Sequence, residues 1–143
     1  MIQATYEDAK LIMDLYQLRR EERLRKARDW FQKEMSAASL KEYREKYPPG
    51  SEQDAFFGMV IGYWEMASAF LAKGIVHEEL FLETNGELWT IWEKAKPLVE
   101  EYRGLLKNPA LFGNLEKAAA RYIAWTERNA PGSYEAMKAL SGQ

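Results

Sequence analysis

From Ala55 to Ala72 the chain reads AFFGMVIGYWEMASAFLA, a helix-length apolar run in which Glu65 is the only formal charge. Its small residues are not scattered. Ala55, Gly58, Gly62, Glu65, Ala69 and Ala72 recur at alternating spacings of three and four, which puts them on one stripe of a helix while large apolar residues cover the other sides. Ser51 with Asp54 opens this helix and Gly74 closes it, so the pattern predicts a central bundle helix over 52–73. A stripe of Gly and Ala lets a second backbone approach closely, and a carboxylate set in it must find a partner or stay protonated.

The flanking segments carry the same period. Thr5 and Asp8 form a capping-box pattern, and Tyr6, Ala9, Ile12, Met13, Tyr16, Leu24, Ala27 and Phe31 continue without Gly or Pro, predicting one first helix over 5–34. At about 1.5 Å per residue such a helix would be some 45 Å long, whereas a compact chain of this size is roughly 37 Å across. It must overhang the bundle or bend. Ser39 and Glu42 cap a short helix that ends at Tyr47 before a Pro-Pro-Gly turn. A short helical turn is predicted over 77–82. Leu88, Ile91, Trp92, Ala95, Leu98, Val99, Tyr102, Leu105 and Leu106 mark the next long helix, with Pro97 expected to kink or split it. Leu111, Leu115, Ala118, Tyr122 and Trp125 mark the last long helix, and a short tail helix is expected over 133–140. No segment reads as a pair of strands. The expectation is an all-α, single-domain helical bundle over 1–143, with about four main helices and two or three short ones.

At 143 residues the chain is the size of one domain, and 47% hydrophobic and 13% aromatic residues, five of them Trp, are enough for a large core. Cysteine is absent, which removes disulfides, thiolate metal sites and cysteine nucleophiles. The first 31 residues lack the cationic start and apolar core of an export signal, so a cytoplasmic location is expected. The 55–72 run approaches the length of a membrane span, but its Glu, two Gly, Tyr and Ser argue for a core helix.

Glu65 is the sharpest chemical candidate. One reading makes it a buried acid facing Arg19, Arg23, Arg103 or Arg121 in a pocket walled by Tyr63, Trp64, Trp92, Tyr122 or Trp125. The plainer reading, preferred here, satisfies it with one arginine or a Tyr hydroxyl as a packing device. If instead the small-residue stripe is exposed, it is a flat surface for a partner helix or for self-association, and Gly58 and Gly62 are its interface residues. Trp89 lies off the Leu88–Ile91–Ala95 stripe and is expected to be comparatively exposed, a second interface candidate.

Nine of the eleven residues from Arg19 to Asp29 are charged. Arg19, Arg23 and Lys26 could line a phosphate backbone, but Glu21 with Arg25 and Glu22 with Lys26 are i,i+4 pairs of an ordinary solvated helix, so nucleic acid is disfavoured. His77 is the single histidine, and no Glu precedes it at the spacing that di-iron bundles use. Glu78, Glu79 and Glu83 miss the Glu-Glu-x-x-Glu spacing of helical nucleotide pyrophosphohydrolases, and Glu100 and Glu101 have no Asp partner after them. Glu65, Glu93 and Glu100 are the one set of oxygen ligands the helices could assemble, but they form no recognised motif, so no metal and no cofactor are expected. No nucleophile elbow or phosphate-cradling Gly loop is present.

The run FFGMVIGYWEMASAFLAKGIVHEELF followed by LWTIWEKAKPLVEE resembles small bacterial all-helical proteins catalogued only as a domain of unknown function. The resemblance implies a compact helical fold over most of the chain and supplies no substrate or site residue. The functional expectation is a non-enzymatic interaction or adaptor domain that binds a protein partner or a second copy of itself. The alternative is a small-molecule binder or enzyme built on Glu65, Tyr63, Trp92, Arg103, Arg121 and Tyr122.

Overall fold

A computed structural model describes residues 2–141. Eight helices and no strand occur among these residues: α1 (Tyr6–Arg20), α2 (Glu22–Lys33), α3 (Leu40–Lys46), α4 (Glu52–Ala72), α5 (Glu78–Thr84), α6 (Glu87–Leu106), α7 (Gly113–Asn129) and α8 (Ser133–Leu140). The fold is an all-α bundle, as the periodicity predicts.

The predicted first helix is two helices. Glu21 leaves the helical region with ψ 142°, and its carboxylate accepts from the backbone N–H groups of Arg23 and Leu24 at 3.0 Å each, so it caps α2 instead of pairing with Arg25. Arg28 then reaches back to donate to the Arg19 carbonyl at the end of α1 (2.9 Å). The expected excess length is therefore resolved by a corner. Elsewhere the caps follow the sequence. Thr5 and Asp8 exchange their hydrogen bonds, Ser39 and Ser51 accept from the third residue beyond, and Gly74 turns left-handed (φ 72°) after α4. Pro97 sits inside α6, which continues through it without splitting.

Helix α4 is the centre of the bundle, packed chiefly between α2 and α7. Phe56, Phe57, Val60, Ile61, Tyr63, Trp64, Ala67, Ser68 and Leu71 are buried. Trp30 and Phe31 of α2 meet Phe56 and Phe57, and Tyr43 of α3 closes on Phe57 with ring centroids 5.0 Å apart. Helix α7 runs along α4 in the same direction: Leu115 meets Glu65 at its start, and Trp125 shares a cleft with Leu71 and Ala72 near its end. By length and apolar composition α4 alone among the described helices could cross a membrane, but half of that window is buried against other helices.

Candidate functional site

The small-residue stripe on α4 divides in two. Its second half, Glu65, Ala69 and Ala72, is half-buried on the side where α7 packs, while Ala55, Gly58 and Gly62 face solvent. Neither exposed glycine is required by the chain around it. A Cβ built at Gly58 or Gly62 meets no atom within 4 Å, and neither has a positive φ. Gly86 is the contrast: a Cβ there would lie 2.8 Å from the Tyr122 hydroxyl, so its close approach is used inside the fold. Gly104, near the end of α6, is also open but stands singly. Met66 lies beside the exposed stripe at 38% exposure, and the face carries no charge between Ala55 and Met66 except Glu65.

The Glu65 carboxylate is already engaged. It accepts from the Leu115 backbone N–H (2.9 Å) and from the Asn114 side-chain amide (2.8 Å). Helix α7 starts from Phe112, a residue with left-handed φ (55°) and no capping side chain, so an acid from a neighbouring helix supplies the cap and complements the positive end of the helix dipole. Arg103 steadies the same corner. It donates to the Leu111 carbonyl, pairs with Glu116 at 2.8 Å and lies over Trp92. The other expected wall residues go elsewhere. Tyr63 donates to the Leu15 carbonyl on α1, Arg121 pairs with Glu78 at 3.3 Å, and Tyr122 covers Gly86. Glu65, Arg103 and Trp92 are thus gathered at the head of α7, and no arginine pairs with Glu65 among the described residues.

A second polar cluster escaped the sequence reading. Arg28 grips Glu87 with two hydrogen bonds (2.9 and 2.7 Å), Trp64 donates its indole N–H to the same carboxylate, and Arg19 stacks on Trp64 while donating to Asn85 (2.6 Å). Burial pushes the Glu87 carboxyl upward, but the hydrogen bonds and charge of Arg28 outweigh it and hold the value below the ordinary one. These groups tie the α1–α2 corner to α4 and to the start of α6. Arg19 and Arg28 are thereby turned inward and Arg23 faces Glu52, so the basic run is not one free stripe.

Trp89, expected to be exposed, is buried at 3%. The tail folds back, and Tyr134 of α8 stands edge-on to the Trp89 ring with centroids 5.7 Å apart. No signal in α6 itself predicts this cover, because it comes from a helix more than forty residues away. No group of three or more acids or histidines that could hold a metal occurs among the described residues.

A family model described as a domain of unknown function, DUF4760, matches residues 4–122. The chain belongs to this family. The DUF4760 match spans α1 to α6 and the first ten residues of α7, so it contains the exposed stripe, the Glu65 cap and the Arg28–Glu87 cluster, while α8 lies beyond it. No curated protein and no solved structure matches the chain.

Proposed function

We propose that this DUF4760 protein is a non-enzymatic interaction module that pairs with a second copy of itself through the outer face of α4. The observation that carries the reading is the Gly58–Gly62 pair. A glycine inside a helix costs about 1 kcal/mol relative to alanine, and here neither its backbone freedom nor its lack of a Cβ serves anything within the chain. Two such positions one turn apart, on a face without free charge, suit close contact with another helix backbone. A two-fold pairing would set this face against itself, with the Glu65 carboxylate at its edge turned onto the start of α7. Helix α1 adds further exposed apolar side chains, Tyr6, Met13 and Tyr16, the last flanked by the guanidinium groups of Arg19 and Arg20.

The test is native mass spectrometry across a range of protein concentrations, with wild type beside Gly62→Glu. A concentration-dependent dimer that Gly62→Glu abolishes, in a variant that stays folded with unchanged far-ultraviolet circular dichroism, supports the module. A wild type that is monomeric at all concentrations contradicts it.

A further inference from the structure

His77 is the single histidine of the chain, and the fold uses both of its ring nitrogens. It stands at the head of α5, where Nδ1 accepts from the Leu80 backbone N–H at 3.1 Å and so caps the helix. A ring nitrogen that accepts carries no proton. The proton of the neutral ring therefore lies on Nε2, which faces the Ile2 carbonyl at 2.9 Å and donates to it. The His77 backbone N–H in turn donates to Asp8 of α1 (2.9 Å), and the other Asp8 oxygen accepts from the backbone and hydroxyl of Thr5. One residue thus joins the segment before α1, the first turn of α1 and the first turn of α5. The rest of α1 is held from its other half, where Leu15 is buried and Tyr63 and Arg28 donate to the carbonyls of Leu15 and Arg19.

We propose that His77 is a pH-sensitive latch: its neutral ring fastens the segment before α1 to the head of α5, and protonation in mild acid releases both. Histidine is the side chain that ordinarily gains its proton between pH 8 and 5, and an imidazolium donates from both nitrogens. Two N–H groups cannot face each other at 3.1 Å, so the protonated ring must leave the cap, and it takes Nε2 away from Ile2. The new charge also falls at the positive end of the α5 dipole. The surroundings leave protonation open. Asp8 of α1 and Glu78 and Glu79 of α5 favour the cation, while Arg121 and Arg128 of α7, which line the same cleft, oppose it, and Arg121 is already paired with Glu78. Asp8 remains ionised as the ring titrates, because the backbone N–H groups of Thr5 and His77 hold its carboxyl below the ordinary value. It is the counter-charge to which a freed ring can turn. The aromatic packing of α4 on α2 contains no group of this latch, so the bundle stays folded while its edge loosens. The latch is separate from the outer face of α4 and does not depend on it.

The test is nuclear magnetic resonance on the full chain between pH 8 and 5, following the His77 ring nitrogens and the exchange of backbone amides relative to unstructured rates at each pH. At pH 8 the ring should be the Nε2–H tautomer. Protection of the Leu80 amide should fall at least fivefold as the ring titrates, with the same midpoint, while the Val60 and Ile61 amides of α4 keep theirs. His77→Asn retains a capping acceptor that does not titrate, so its Leu80 protection should hold across the range, whereas His77→Ala should be poorly protected at both ends. An Nδ1–H tautomer at pH 8 overturns the proposal without need of a variant. Leu80 protection that is constant through the His77 titration, that falls equally in His77→Asn, or that falls only together with α4, also overturns it.

Discussion

The two faces of α4 are made from one helix and obey different rules. The inner face is aromatic and close-packed: Phe57, Ile61 and Trp64 each meet side chains from other helices, and each is shaped by what it touches. The outer face at Ala55, Gly58 and Gly62 touches nothing in the chain, although it is hardly more polar. An apolar composition thus has two causes in one element, folding on one side and, in our reading, association on the other. Glu65 marks the border, since it lies on the small-residue stripe but spends its carboxylate on α7.

Perturbing the inner face should cost folding stability and nothing else. Trp64→Ala should lose about 3 to 5 kcal/mol in chemical denaturation, because it leaves a large cavity and removes the indole donor from Glu87. Arg28→Ala should lose about 3 kcal/mol, because Glu87 would remain mostly buried without its cation. That cluster also has a pH signature. Because the folded Glu87 carboxyl titrates below its ordinary value of 4.5, its contribution is complete above that value and is lost as pH falls through the folded one. The stability difference between wild type and Glu87→Gln should therefore shrink as pH drops below 4.5. Persistence of the full difference in acid would contradict the ion pair.

At the border, Glu65→Ala should lose about 1 to 2 kcal/mol by uncapping α7, and Glu65→Gln should lose less because an amide oxygen can still accept from Leu115. Equal losses for the two variants would show that the carboxylate's charge, not its acceptor geometry, holds α7. On the outer face the sign reverses. Gly58→Ala and Gly62→Ala should each stabilise the monomer by about 0.5 to 1 kcal/mol, since the new Cβ meets open space.

Much of this organisation was legible in the chain. Thr5, Ser39, Ser51 and Gly74 mark helix ends by local chemistry, and local chemistry survives folding. The corner at Glu21 was not legible, because a glutamate between arginines reads equally well as an i,i+4 partner or as a cap. In the fold Glu21 caps α2, and Arg28, held by Glu87, donates to the end of α1 across the same corner. Trp89 departs from its expected exposure for a related reason. Helical periodicity describes a residue's position on its own helix, not a tail that returns to cover it. Glu65 was conspicuous because it interrupts an apolar run, whereas Arg28 and Glu87 were hidden among charges that look solvated.

The most direct test of the two-faced helix is sedimentation equilibrium on Gly58→Ala/Gly62→Ala, with thermal unfolding measured on the same samples. The account predicts a higher melting temperature together with a dimer weakened at least tenfold, because the Cβ atoms that favour the helix would keep two copies apart. A variant that is more stable and dimerises as tightly as wild type would contradict it.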